Sequence, residues 1–280
     1  MVLIPSGEYT MGAPDGAAED LLPLQRSVRR TARLEAYEIG RYEITNAEYA
    51  AFIRDGGYQN RSYWSDEGWT AKERLGRRYP EAWMDRRYWQ TRLRDVENDR
   101  NPVVGVSWYE ARAYCRWLSA KAGFRFDLPT EGQWEAAARG TQNFLFPWGD
   151  RWDPERCNCG DDTDGNGQGD GGIDGYSLTA PVGTYPAGAS PFGCYDMAGN
   201  VYEWCLNRFE EEGSGAAYRV LRGGSLADCL APQPHHDTSG WNRTLGAICS
   251  LGDDWVSDCA DGRINPSFQG WKKRNRLSFV

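Results

Sequence analysis

The stretch "SPFGCYDMAGNVYEW", Ser190–Trp204, can be read in two ways. Gly199-Asn200 marks a tight turn, and the aromatics that alternate behind it suit a half-buried strand. Glu203, however, lies close behind Asp196. Two carboxylates around a turn, with backbone carbonyls between them, are the donors that a hard cation such as calcium takes. Spacing alone favours the plain turn and strand, so the choice depends on the rest of the chain.

A second acidic stretch lies upstream, "CNCGDDTDGNGQGDGGIDGY" at 157–176. Asp162, Asp164, Asn166, Gly167 and Asp170 follow the opening of a calcium loop, D-x-D-x-N-G-x-x-D. The bidentate Glu of such a loop is replaced by Ile173, and no flanking helices are evident. The match is partial, and metal binding is expected somewhere in 157–176. Cys157-Asn158-Cys159 is too close-set for a paired zinc knuckle, and no second pair follows.

Outward from these loops, three stretches fit the S/T-x-x-E/Q capping box: Thr45 to Glu48, Ser107 to Glu110 and Thr130 to Gln133. The spacing predicts a helix after Ser107, carrying Trp108, Ala111, Cys115, Leu118 and Ala122 on one face and ending at Gly123. A second should follow Thr130 and stop at Gly140. Residues 1–12 and 35–44 read as short strands, and "YEIGRYEIT" alternates with the strand period. Residues 56–100 are polar and rich in Arg, Trp and Tyr; they read as an insertion with a helix around 80–95. Beyond 141 Gly, Asp, Asn and Pro dominate and helical periodicity ends. With 13 Trp, 15 Tyr, 9 Phe and 33 Gly, the chain suits irregular backbone anchored by large flat side chains. No linker or internal repeat divides the 280 residues, so one domain is expected.

The balance of 32 basic against 40 acidic residues argues against a nucleic-acid partner. No apolar run nears the roughly 18 residues of a membrane span. The start "MVLIPSGEYTMG" reads as no signal peptide, and the eight cysteines form no dense disulfide framework. Free thiols in a reducing cytoplasm are the default expectation, with export or surface display left open. The P-loop, the G-x-S-x-G elbow and H-E-x-x-H are all missing. His235-His236, the only histidines, read as a surface pair in a Pro-flanked loop.

The C-terminal segment has its own composition. All 18 Glu precede residue 213. Lys, Glu, Gln, Met and Trp together make up 40 of the first 225 residues, so about eight are expected in the 43 residues of 226–268. Only Gln233, Trp241 and Trp255 occur. The types that remain are those reached from an AAC or AAT codon by changing adenines.

Seven blocks now read together, in order: "MVLIPSGEYTMG", "YEITNAEYAAF", "NPVVGVSWYEARAYCRWL", "DLPTEGQWEAAARG", "FPWGD", "SPFGCYDMAGNVYEW" and "RVLRGGS". They resemble the formylglycine-generating-enzyme (sulfatase-modifying factor) family over most of 1–225, apart from 56–100. The resemblance implies an α+β, C-type lectin-like fold with short helices, small antiparallel sheets and much irregular loop. It also implies two calcium ions. One would take the Asn158 side chain, the carbonyls of Cys159 and Tyr176, and the Asp174 carboxylate. The other would take Asp196, the carbonyls of Gly199 and Val201, and Glu203. On that resemblance the opening stretch reads as a metal loop, and 162–170 as an insertion between ligands of the first site.

Catalysis does not carry over. The family's enzymes carry GGS-x-x-C-x4-C and an arginine-rich run, and use the two thiols with copper and oxygen. Here Asp228 stands where the first cysteine belongs, Cys229 comes one residue late, and Cys249 follows 20 residues on. A one-residue shift in extended backbone turns a side chain to the opposite face. The related sulfoxide synthases need a histidine-bearing iron domain that two histidines cannot supply.

The variable proteins of diversity-generating retroelements resemble the family up to the "RGGS" block and then diverge through adenine-directed mutagenesis. Their tails end in a G-F-R-x-V-like strand, and this chain ends "NRLSFV". This resemblance implies a non-catalytic, receptor-like protein whose residues 226–268 bind a macromolecular ligand. Leu226, Asp228, Leu230, His235, His236, Asp237, Trp241, Asn242 and Trp255 are the expected contacts. The alternative is an oxygen-dependent oxidoreductase acting on a sulfatase cysteine.

Overall fold

Thr45, Ser107 and Thr130 each open a helix in the computed structural model, which describes residues 1–12, 29–80, 99–159, 176, 179–210, 217–224 and 278–279. All three capping boxes are complete: the hydroxyl accepts from the N3 backbone N–H, and the N3 side chain accepts from the cap N–H. In chain order the elements are β1 (Val2–Ile4), β2 (Gly7–Met11), β3 (Arg30–Leu34), β4 (Tyr37–Ile39), α1 (Asn46–Arg54), α2 (Asp66–Arg74), α3 (Trp108–Ala122), β5 (Phe126–Asp127), α4 (Glu131–Arg139), β6 (Glu203–Glu210), β7 (Ala217–Arg222) and β8 (Ser278–Phe279). Helix α3 ends at Gly123, whose φ of +78° is left-handed backbone that glycine adopts at no steric cost. Helix α4 stops at Gly140.

The sheets are small. One has four strands in the order β1-β4-β8-β5, with β1 and β4 antiparallel and β8 parallel to both of its neighbours. The other two are antiparallel pairs, β2 with β3 and β6 with β7, the latter with an irregularity between Trp204 and Arg208. The terminal "NRLSFV" thus supplies a strand, Ser278–Phe279, that joins β4 to β5. The strand expected over 35–44 is only Tyr37–Ile39, because the chain leaves the sheet to reach the α1 cap.

Two apolar clusters hold these elements. Tyr9, Met11, Tyr37 and Ile39 pack against Trp134 and Ala136–Ala138 of α4, with Cys194, Met197 and Cys205. Tyr49 and Phe52 of α1 pack against Tyr114, Trp117 and Leu118 of α3, joined by Tyr58 and Trp64. The buried face of α3 is therefore wider than the single stripe of the sequence reading and includes Tyr114 and Trp117. The segment 56–80 is part of this core. It carries a helix not expected there, α2, whose cap Ser65 accepts from the Gly68 N–H. The Lys72 ammonium sits 4.3 Å from the Trp69 ring centroid, a cation–π contact that offsets its burial. The helix expected around 80–95 lies, except for Pro80, outside the described residues. Short helices, small sheets and much irregular loop make the fold α+β, and among the described residues no helix is long and apolar enough to cross a membrane.

Candidate metal centre

The N-terminal part of residues 190–204 is held before the chain turns. Ser190 N–H donates to the Cys194 carbonyl at 2.8 Å, and Tyr195 N–H to the Arg41 carbonyl at 2.9 Å. Between Asp196 and Asn200 the backbone visits the left-handed region three times, at Asp196 (φ +57°), Gly199 (+80°) and Asn200 (+59°). Asp, Gly and Asn are the residue types that tolerate it, which is the local reason for this composition. The chain then enters β6 at Glu203, opposite Arg222.

Three carboxylates converge on this turn. Asp196, 7% exposed, accepts from the Gly183 N–H at 2.7 Å; burial pushes its carboxyl up to about 6, against that hydrogen bond. Glu203 accepts from Trp134 Nε1 at 3.1 Å through Oε2. Burial, with Asp196 adding to it, pushes its carboxyl up to about 7. Glu43, between β4 and the α1 cap, accepts from Asn200 Nδ2 at 3.0 Å through Oε2. Burial first, then Asp196 and Glu203, drive its carboxyl well above the ordinary range. Oε1 of Glu43 and Oε1 of Glu203 are buried, with no hydrogen-bond partner among the described residues. A buried carboxylate oxygen in that position calls for a cation, a water or a proton. Both glutamates also line a cavity of about 100 Å3, with room for several waters.

Among the described residues, no three Asp, Glu, His or Cys side chains are grouped to hold one ion by themselves. An ion between Asp196 and Glu203 would therefore need backbone oxygens as well.

Of the upstream set, Asn158, Cys159 and Tyr176 are described, while Asp174 and 162–170 lie outside the described residues. Asn158 is fully buried. Its Nδ2 donates to Asn200 Oδ1 at 2.9 Å, and its carbonyl accepts from Asn200 N–H at 2.8 Å. The two acidic stretches, separate in sequence, thus meet at one pair of asparagines. Sequence reading missed Glu43 and the role of Asn200. In "YEIT" strand alternation places Glu43 on the polar side, and Asn200 reads only as a turn residue.

Gly223 and Gly224 of the "RGGS" block stand beside the same loop. Both are left-handed, at φ +93° and +82°, and the Gly223 carbonyl accepts from Gly199 N–H at 2.9 Å. A Cβ on Gly223 would lie 3.3 Å from the Val201 carbonyl oxygen. The expected contacts Leu226, Asp228, Leu230, His235, His236, Asp237, Trp241, Asn242 and Trp255 all lie outside the described residues, as do Cys229, Cys249 and Cys259. The five described cysteines, Cys115, Cys157, Cys159, Cys194 and Cys205, are all buried. Burial pushes the Cys194 thiol up to about 11 and moves Cys115 and Cys205 in the same direction.

A family model, the sulfatase-modifying factor enzyme 1-like domain, matches residues 1–244. The chain belongs to this family. Its sulfatase-modifying-factor relatives include a hercynine oxygenase of Mycobacterium tuberculosis, 37% identical over 214 residues, 69% of this chain and 46% of the relative. The chain thus spans about half the length of that relative. An inactive C-alpha-formylglycine-generating enzyme 2 of Bos taurus is 28% identical and is matched over 95% of this chain and 89% of its own. Among solved structures, Treponema denticola variable protein 1 shares the fold, with a TM-score of 0.54, 21% identity, and coverage of 82% of this chain and 84% of that one.

Proposed function

We propose that this member of the sulfatase-modifying-factor family is a non-catalytic, receptor-like protein. It would present residues 226–268 as a diversified ligand-binding surface on a calcium-supported scaffold. The observation that carries the reading is the register after "RGGS": Asp228 occupies the position of the first catalytic cysteine, and Pro234, not a second thiol, stands five positions after Cys229. Cys115, Cys194 and Cys205 offer no substitute, since burial raises each thiol and keeps it in the protonated form, which is a poor nucleophile. The relative named as an inactive formylglycine-generating enzyme is an example of the family without that activity. A rigid scaffold would limit the entropy lost on binding.

Two experiments test this. Incubated with copper, oxygen and a sulfatase peptide, the protein is expected to form no aldehyde; aldehyde formation would establish the oxidoreductase reading instead. DNA beside the gene is expected to hold a near-copy of the coding sequence for 226–268 that differs at adenines, next to a reverse transcriptase. Identical tails in every natural copy of the gene would sink the diversified surface.

The donors fit calcium. The buried Glu203 Oε1, without a hydrogen-bond partner among the described residues, and the carboxylate of Asp196 are hard anionic ligands, and the carbonyls of Gly199 and Val201 would complete the set. Asn158, Cys159, Asp174 and Tyr176 would hold a second ion. Calcium would neutralise the buried carboxylates and fix the loop under Gly223. Adding it to chelator-stripped protein at 100 times its Kd should stabilise the fold by about 2.7 kcal/mol per site. That is a rise in Tm of roughly 5–10 °C. Magnesium, which demands near-octahedral geometry, should give less. A Tm indifferent to calcium would remove the metal from this reading.

A further inference from the structure

We propose that Arg112, Arg116, Arg125, Arg208 and Arg219 form a docking surface for an acidic polypeptide segment of a partner protein. This surface does not depend on the calcium reading above.

These arginines are spread through the sequence and meet where α3 joins the β6–β7 pair. Trp108, the first residue of α3, makes the joint: its Nε1 donates to the Cys205 carbonyl of β6 at 3.0 Å. The Arg219 guanidinium lies 3.5 Å from the centroid of the Trp108 ring, and that of Arg112 lies 5.0 Å from it. Arg208 stands directly opposite Arg219 in the β6–β7 register. Arg116 follows Arg112 at the i,i+4 spacing of α3. Arg125 reaches the same Asp127 carboxylate as Arg112.

Two of these placements cost stability. Like charges repel when directly opposite across an antiparallel pair, and when at i and i+4 of a helix. Burial first, then Arg208, lowers the pKa of Arg219; burial first, then Arg112, lowers that of Arg116. Local acids do not cancel the repulsion. Asp127 holds Arg112 and Arg125, and Glu67 acts on Arg219. Arg61, which also acts on Arg116, is matched by Asp66. Five guanidiniums thus face two carboxylates, in a chain whose net charge is −8. Arg208 is exposed, and no described residue pairs with it. Local rules broken together on one face, against the charge of the whole chain, point to an anionic ligand from outside it.

Asp127 shows the chemistry such a ligand would use. Arg112 Nε lies 2.6 Å from its Oδ1, and Arg112 Nη2 donates to its Oδ2 at 3.1 Å, the two-pronged fork of a guanidinium on a carboxylate. Arg125 Nη2 donates to the same Oδ2 at 3.0 Å. Asp and Glu side chains of a partner would take Arg208, Arg219 and Arg116 in the same manner. A nucleic acid would carry its phosphates past the arginines onto an acidic body that repels them, whereas a short acidic segment keeps its charge over the patch.

Fluorescence anisotropy of a labelled oligoglutamate peptide, titrated with the full chain, tests this. Binding is expected, and added salt should weaken it. Arg208→Ala should weaken it about five-fold, the upper end for an exposed ion pair. Its Tm should equal or exceed that of wild type, because the repulsion with Arg219 is gone. A purely structural arginine would do the reverse, lowering the Tm and leaving the peptide bound. Arg116→Gln provides a second route and should also weaken the peptide. An oligothymidylate of equal charge should bind less tightly than the peptide. No peptide binding would overturn the proposal, as would unchanged affinity in both variants. Tighter binding of the oligothymidylate would overturn it in favour of a nucleic-acid surface.

Discussion

Gly199→Ala is expected to cost at least about 3 kcal/mol, a large share of the stability of an ordinary protein. Two effects add. At φ +80° an L-residue other than Asn or Asp is strained. The new methyl would also lie 2.4 Å from the Asn158 carbonyl oxygen, 3.1 Å from its carbon and 3.2 Å from Cys157 Cβ. Two of those atoms are backbone and cannot rotate away, so the Asn158 and Gly199 segments must separate, breaking the bonds through Asn200. Gly76→Ala is the control. Its φ of +66° is similar, but nothing lies within 4 Å of the added methyl, so only the backbone cost of about 1–2 kcal/mol remains. Urea unfolding of both variants measures the difference. Equal losses would show that the close approach at Gly199 carries no energy.

Glu110→Ala is the second large loss, about 3–5 kcal/mol, because it breaks a buried charged network. Glu110 is 1% exposed. Its Oε1 accepts from Tyr58 OH at 2.6 Å, its Oε2 accepts from Ser107 N–H at 2.7 Å, and Arg77 Nη1 lies 3.7 Å away. Alanine removes the reciprocal half of the α3 cap and takes this carboxylate from the buried Arg77 together. The network also gives a pH dependence. Burial pushes the Glu110 carboxyl from the ordinary 4.5 to about 7, against Tyr58, Ser107 and Arg77, which favour the charged form. Between these values the native state holds a proton that the unfolded chain has lost. Stability from this group is therefore full below about 4.5 and falls as the pH rises through 7. Glu110→Gln does not titrate, so its stability should decline less than wild type between pH 5 and 8. Parallel curves from chemical denaturation at four pH values would refute this account.

Much of the fold is legible in the chain because it rests on rules that act over three or four residues. Thr45, Ser107 and Thr130 name their own helix starts, and Gly123 and Gly140 name the ends, since caps and left-handed backbone depend on the local residue type. The turn at Gly199-Asn200 is legible in the same way, whereas the left-handed Asp196 is not. Helix α2 escaped because Ser65 caps Gly68, which offers no reciprocal side chain, and because its anchors, Trp64 and Trp69 around Lys72, look like surface in a polar segment.

The sequence alone thus determined three helix starts, at Thr45, Ser107 and Thr130, two helix ends, at Gly123 and Gly140, and the turn at Gly199-Asn200. Only the tertiary structure decided that Glu43 faces Asn200, 157 positions away, that Asn158 and Asn200 join the two acidic loops, and that Gly223 rests on the second of them. Burial is the physical reason. A carboxylate or carboxamide costs nothing notable to place in water, and its sequence neighbours do not say whether it will leave water. Its partners are fixed when the loops pack together and each buried polar atom must find one.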